Sequence, residues 1–162
     1  MIEIQGKILF DLPNLSNKHN LQSDWKRTVF IVTDCDMYKY YSWFITKRFN
    51  LQLKKNIRDI SHISFINDRI DTPDLIDKYE KAKLKYNNTN ITFSYNPSNI
   101  RTNDKHWWLN IECKDIENIR SECGLTSKPY FGLHMTLGNI IDTQVAHEHS
   151  EYIHRQILRF NI

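Results

Sequence analysis

The pattern strand, helix, strand occurs twice along this sequence, and it restricts the possible folds more than any other feature. Strands are indicated by β-branched runs or by alternation of apolar and polar residues, and helices by apolar residues at helical spacing. The first copy has strand, helix and strand patterns at residues 28–33, 37–50 and 60–66, and the second has them at 107–113, 115–123 and 129–138. We therefore predict an internal duplication, with halves of about residues 28–70 and 107–140.

Further elements are predicted outside the repeat. They are a short strand from residue 7 followed by an irregular arm to 24, a helix at 75–86, a strand at 90–95 with a hairpin loop at 96–105, and a helix at 143–160. The first of these helices has a clear start, because Thr72 can cap it and Pro73 suits its first turn. Asp34 or Asp36 can cap the helix of the first copy in the same way.

The chain of 162 residues is short for two hydrophobic cores, and no stretch is rich enough in Gly, Pro or Ser to act as a linker. We therefore predict one domain over residues 1–162, in which the two halves are lobes that share a cleft. No run of residues is apolar enough to span a membrane, and the first residues lack the features of a signal peptide. These features predict a cytoplasmic protein without a membrane partner.

Composition argues against two common kinds of nucleotide-binding site. The chain has 4 glycines, and their spacing fits neither the dinucleotide-binding motif nor the P-loop motif. The formal net charge is +3, with 22 basic and 19 acidic residues, which is a weakly basic balance. A small anionic ligand suits this balance better than duplex DNA does. The sequence points to no particular protein partner.

The second strand of each copy carries the same pattern, a histidine, an apolar residue, a hydroxyl residue and an apolar residue. The two copies are His62-Ile63-Ser64-Phe65 and His134-Met135-Thr136-Leu137. Side chains alternate along a strand, so each histidine shares a face with the hydroxyl residue two positions later. If a pseudo-two-fold axis relates the halves, two imidazoles and two hydroxyls converge on one site. Gly132 and Gly138 flank the second motif, and we expect them to leave that face open to a ligand.

Two imidazoles and two hydroxyls suit the cleavage of a phosphodiester. One neutral imidazole can accept a proton from an attacking hydroxyl, while the other, as imidazolium, donates a proton to the leaving oxygen. The hydroxyls can donate hydrogen bonds to the non-bridging phosphate oxygens as charge develops in the transition state. This scheme needs no metal ion.

The paired motifs resemble those of the two-histidine (2H) phosphoesterase superfamily. The likeness extends over nearly the whole chain and includes its length, residues 23–34, the second motif at 133–138 and residues 149–153. It implies an α+β fold with two lobes, in which antiparallel sheets flanked by helices surround a central cleft. It also implies that the catalytic residues are His62, Ser64, His134 and Thr136. The first motif departs from the common pattern, because it has serine where threonine is more usual.

Within that superfamily, the chain is similar to the phage anti-CBASS nucleases, which cut the cyclic oligonucleotide messengers of bacterial antiphage defence. The resemblance implies a phosphodiesterase that cleaves 3′–5′ bonds of cyclic di- and trinucleotides in the host cytoplasm, without a cofactor. Two alternatives stay open. One is an RNA 2′,3′-cyclic phosphodiesterase of RNA repair or processing, and the other is a non-catalytic protein that sequesters the same messengers.

Other residues are candidates for binding. Among aromatic residues beside loop-like sequence, Trp25 and Tyr130 are the two that we expect to stack on a nucleobase. The basic run at 54–58 precedes the first motif and can attract a polyanionic ligand. Residues 147–154 contain several histidines and glutamates, but their spacing differs from that of a helical zinc motif. We predict the start of a surface helix there, and no metal site.

Overall fold

The computed structural model describes residues 1–12, 27–33, 36–54, 60–103 and 105–140. In this part of the chain it has seven strands and three helices, and the architecture is α+β, as predicted. In chain order they are β1 (Ile2–Phe10), β2 (Val29–Thr33), α1 (Met37–Phe49), β3 (Leu53–Lys54), β4 (Ser61–Ile66), α2 (Pro73–Tyr86), β5 (Asn90–Thr102), β6 (His106–Glu112), α3 (Lys114–Glu122) and β7 (His134–Ile140). The predicted helix at 143–160 lies outside the described residues.

The seven strands form one antiparallel sheet in the order β3-β7-β6-β5-β1-β2-β4. In this order the two motif strands are far apart, because β4 is at one edge and β7 is next to the other. The sheet nevertheless curls so that β4 and β7 contact each other. Curling of the sheet, rather than direct pairing, therefore brings the two motif strands together.

Helix α1 packs against both motif strands, β4 and β7. Its buried residues are Met37, Tyr38, Tyr41 and Ile45. The Tyr38 N–H donates to Ser61 Oγ at 3.0 Å, directly before the first motif. The Ser42 hydroxyl donates to the carbonyl of Leu137, the last residue of the second motif. One helix thus fixes both motif strands relative to each other.

The strand alternation predicted for the motifs is present. Ile63 and Met135, which lie between the histidine and the hydroxyl residue, are fully buried in the core. The histidine and hydroxyl residues on either side of them are half-buried. Buried residues from all three helices and from the sheet join in one hydrophobic cluster. The motifs therefore present one face to the core and the other to solvent or a ligand.

Two helix ends follow the sequence signals. Thr72 caps α2, since its side chain accepts the Leu75 N–H, and Pro73 is the first helical residue. Helix α3 is followed by Gly124 with a φ of +76°, the left-handed conformation that glycine adopts past a helix end. Asp36 stands at the cap position of α1 but makes no side-chain capping bond there, so that part of the capping prediction is wrong. Asp34 lies outside the described residues.

Several predicted boundaries are wrong. Strand β7 begins at His134, because Pro129 and Gly132 form a turn and Gly132 has a φ of +68°. Strand β5 continues to Thr102 through the predicted loop, because Ile100, Arg101 and Thr102 still pair with β6 after a register shift. Strand β1 begins at Ile2, because its first residues pair with β5. Cross-strand pairing outweighs local composition in the last two cases.

None of the helices in the described residues has the length and apolar character that crossing a membrane requires.

Candidate active site

The two motifs line a single cavity of about 340 Å³. His62 and Ser64 reach it from β4, and His134 and Thr136 reach it from β7. The volume is at the lower end of the range for small-molecule sites. The structure thus brings together all four residues that the repeated motif singled out, and it places them where one ligand can contact them all.

The two histidines make the same backbone contact. His62 Nδ1 is 3.0 Å from the carbonyl oxygen of Ile60, and His134 Nδ1 is 3.1 Å from that of Gly132. Each ring therefore contacts the carbonyl two residues before it. A carbonyl oxygen only accepts hydrogen bonds, so Nδ1 carries the proton in each neutral ring and Nε2 is its basic nitrogen. In both imidazoles, Nε2 is therefore the atom that would exchange a proton with a ligand.

Each motif strand also has an irregularity at the same position. The pairing of β2 with β4 shifts between Val29 and Phe30, and the pairing of β6 with β7 shifts between Trp107 and Trp108. In each pair the motif strand has the extra residue, which is the last residue of the motif. Bulges of this kind re-aim side chains next to functional sites. Ser64 then lies opposite Phe30, and Thr136 lies opposite Trp108.

The permanent charges in the cavity lining oppose each other. Among the described residues that line the cavity, Arg120 and Asp68 are the two with a permanent charge. They form an ion pair, with Arg120 Nη1 2.9 Å from Asp68 Oδ2, and so largely neutralise each other. Protonation of an imidazole then decides whether this lining carries net positive charge. A singly charged phosphodiester suits such a site.

An exposed aromatic pair stands at the rim of the cavity. The side chains of Tyr130 and Phe131 are 93% and 83% exposed, and their ring centroids are 4.8 Å apart in an edge-to-face arrangement. Both residues line the cavity. The turn that carries them closes with a hydrogen bond from the Gly132 N–H to the Pro129 carbonyl at 3.0 Å. Tyr130, one of the two residues predicted to stack on a nucleobase, therefore lines the cavity. The other, Trp25, lies outside the described residues.

The two glycines that flank the second motif differ in what surrounds them. Gly132 lines the cavity, and a Cβ added there meets nothing within 4 Å, so it does leave room beside the second motif. A Cβ on Gly138 would instead lie 3.0 Å from Leu53 Cβ, so this glycine admits strand β3 and not a ligand. Lys54 lies in β3, and residues 55–58 of the basic run are outside the described part of the chain, as are residues 147–154.

Sequence reasoning did not single out Arg120 or Asp68, which form the ion pair of the cavity lining. Arg120 is 1% exposed, although it sits in a helix with many charged residues. A signal was present, because Arg120 is four residues after the buried Ile116 and three before the buried Cys123, on the apolar face of α3. Phe131 lies within the strand predicted at 129–138, where an apolar residue is usually buried, so its exposure had no comparable signal.

Comparison of the chain with family models, with curated proteins and with solved structures finds no match. The case for a function therefore rests on the geometry of the cavity and on the motifs.

Proposed function

We propose that this protein is a two-histidine phosphodiesterase that cleaves 3′–5′ bonds of cyclic di- and trinucleotides without a metal ion. The observation that carries the proposal is the pair of equivalent imidazole and hydroxyl sets in one cavity. His62 and His134 line the same space and make the same Nδ1 contact with the backbone. A structural histidine has no need of a second copy in the same environment, whereas an acid and a base acting on one phosphate do.

In the proposed mechanism, one histidine accepts the proton of the ribose 2′-OH through Nε2. The 2′-oxygen attacks the adjacent phosphorus, and the bond from phosphorus to the 5′-oxygen breaks. The other histidine, protonated on both nitrogens, donates a proton to the departing 5′-oxygen. Ser64 and Thr136 donate hydrogen bonds to the non-bridging oxygens. The product is a linear nucleotide with a 2′,3′-cyclic phosphate, and protons balance because one imidazole gains what the other loses.

We further infer that the fold is a duplicated, bilobal one of the 2H type. Three features support this inference. Each copy has a strand, a helix and a motif strand that pairs with the first strand, although the short β3 precedes the motif strand of the first copy. Each motif strand bulges at the last motif residue, and each histidine contacts the carbonyl two positions before it. These equivalences, together with the resemblance of the motifs, support placing the chain in the 2H superfamily.

The biological role that follows is the destruction of cyclic oligonucleotide messengers in the bacterial cytoplasm, so that a phage evades CBASS defence. The motif resemblance supports this role, and the cavity is compatible with it. Its described lining has no net permanent charge, which suits a small diester better than a long RNA strand with many phosphates. Two titrating groups at one site favour catalysis over mere sequestration of the messenger.

The proposal is tested by incubating the purified protein separately with 3′,3′-cyclic dinucleotides and with an RNA that ends in a 2′,3′-cyclic phosphate. Chromatography of the products separates the three functions. We expect ring opening of the cyclic dinucleotides. Cleavage of the RNA end alone would assign the protein to RNA processing, and tight binding of the messenger without turnover would make it a sequestering protein.

Activity is expected to survive a strong chelator. Proton transfer and hydrogen bonds account for each step of the mechanism, so removal of divalent ions should change the rate by less than about twofold. Initial rates with and without EDTA, followed by added zinc or manganese, check this. A rate that collapses in EDTA and returns with metal would show that a metal ion takes part.

Removing the aromatic pair should weaken substrate binding more than it slows the chemistry. We expect the double substitution Tyr130→Ala and Phe131→Ala to raise KM about tenfold, since stacking on one base contributes about 1–3 kcal/mol. The matched control is Tyr40→Ala, because Tyr40 is 56% exposed on α1 and does not line the cavity. An unchanged KM in the double variant would remove the turn from substrate binding.

A further inference from the structure

Arg120 is a buried cation that contacts the first motif and the segment that leads to the second. From α3, its Nη1 donates to the Phe65 carbonyl at 2.5 Å and to Asp68 Oδ2 at 2.9 Å. Its Nη2 donates to Asp68 Oδ1 at 3.1 Å and to Thr126 Oγ1 at 3.3 Å, and its Nε donates to the Thr126 carbonyl at 2.8 Å. Phe65 directly follows Ser64 in the first motif, whereas Thr126 belongs to the segment that leads to the second motif. The Arg120 side chain therefore links the first motif to the segment that leads to the second.

These contacts use the full donor capacity of the side chain. A guanidinium has five N–H groups, and the structure provides five acceptor contacts for Arg120. A substrate phosphate would find no spare donor on this residue, and the Asp68 carboxylate already balances its charge. Arg120 is thus poorly suited to hold a phosphate directly, in spite of its position in the cavity wall.

A short series of hydrogen bonds leads from Arg120 to the aromatic turn. Thr126 Oγ1 accepts from Arg120 and donates to the Lys128 carbonyl at 3.1 Å. Pro129 follows with a φ fixed by its ring, and its carbonyl accepts the Gly132 N–H that closes the turn at 3.0 Å. Hydrogen bonds through Thr126 and Arg120 therefore link the turn to the Phe65 carbonyl on β4.

We propose that Arg120 is a positioning residue which, through Thr126, holds the Tyr130–Phe131 turn over the cavity at the height of a bound nucleobase. The inference rests on the proposed function, since it assigns the turn to base recognition. We expect loss of the hydrogen bond between Arg120 and Thr126 to weaken nucleotide binding when the aromatic ring of Tyr130 is present. When that ring is absent, the same loss should have little effect. The histidines and their proton transfers are not affected.

The test is a double-mutant cycle with Thr126→Val and Tyr130→Ala. Replacing Arg120 itself would leave the Asp68 carboxylate without its ion-pair partner and destabilise the fold. The substitution Thr126→Val instead keeps the shape of the side chain and removes one hydroxyl. The measured quantity is the Kd of a 2′-deoxy 3′,3′-cyclic dinucleotide, which binds without being consumed. We expect Thr126→Val to raise Kd about fivefold in the wild-type background. In the Tyr130→Ala background the same change should have less than about a twofold effect.

Two further variants serve as controls for the double-mutant cycle. Thr126→Ser keeps the hydroxyl and should bind like the wild type. Thr102→Val removes a hydroxyl that donates to the Asn103 carbonyl in another turn and should leave Kd unchanged. A general loss of structure would instead produce equal effects of Thr126→Val in both backgrounds.

The outcomes separate this inference from the proposed function. Equal effects of Thr126→Val in the two backgrounds, or no effect in the wild-type background, would overturn the positioning role of Arg120 while nucleotide binding stands. A wild-type protein that binds no cyclic dinucleotide would overturn the proposed function and this inference together. A Kd increase confined to the background with Tyr130 supports this inference and the binding of nucleotides in the cavity.

Discussion

Replacing either His62 or His134 with alanine is expected to lower kcat at least ~100-fold, since a positioned acid or base contributes about 10²–10⁴ to a rate. The two losses should be similar in size, because both imidazoles line the same cavity and make the same backbone contact. The measurement is kcat on a 3′,3′-cyclic dinucleotide at saturating concentration. Thermal unfolding of each variant shows whether the fold is retained.

The matched control is His106→Ala. This residue is also on a strand, and its Nδ1 contacts Asn139 Oδ1 at 2.7 Å, but it does not line the cavity.

The wild-type rate should follow a bell in pH, because one imidazole must be neutral while the other is protonated. Each active-site variant should lose one side of that bell. Near-normal turnover by either variant would remove that histidine from the mechanism.

A cyclic dinucleotide in which both sugars are 2′-deoxy is expected to bind in the cavity and to resist cleavage. The proposed nucleophile is then absent, and with it the advantage of an attacking group held beside the phosphorus, which reaches effective molarities of about 10⁵ M or more. We expect cleavage at least ~1,000-fold slower than for the ribo compound. Calorimetry measures binding, and chromatography measures turnover.

A dinucleotide with only one 2′-deoxy sugar provides an internal control. Each linkage depends on the 2′-OH of the ribose that carries its 3′-oxygen, so only the linkage next to the remaining hydroxyl should open. The expected product is a single linear species. Cleavage of both linkages at similar rates would mean that water or an enzyme residue attacks, and the histidines would then need other roles.

The parts of the site that the sequence predicts are those governed by local rules. Strand alternation placed Ile63 in the core and His62 with Ser64 on the cavity face, and the structure confirms this arrangement. Period and capping signals located α2 through Thr72 and Pro73. These predictions depend on residues within one turn of helix or a few positions of strand, where side-chain geometry follows from backbone geometry.

The parts that the sequence did not predict depend on long-range pairing. Contact between β4 and β7 results from curling of a sheet whose order places the two strands far apart, and no local pattern specifies that order or that curvature. The bulges at the ends of the motifs arise from register with β2 and β6. The burial of Arg120 likewise depends on the loop and the strand that surround it.

The central claim is that the two motif histidines drive attack by the substrate's own 2′-oxygen, and one measurement tests it directly. The wild-type protein is incubated with a 3′,3′-cyclic dinucleotide in ¹⁸O-labelled water, and the first product is weighed by mass spectrometry. Internal attack only rearranges the substrate, so we predict a linear product with a 2′,3′-cyclic phosphate, the mass of the starting compound and no ¹⁸O. A first product heavier by one labelled water would show hydrolytic attack, and the absence of any product would contradict the phosphodiesterase itself.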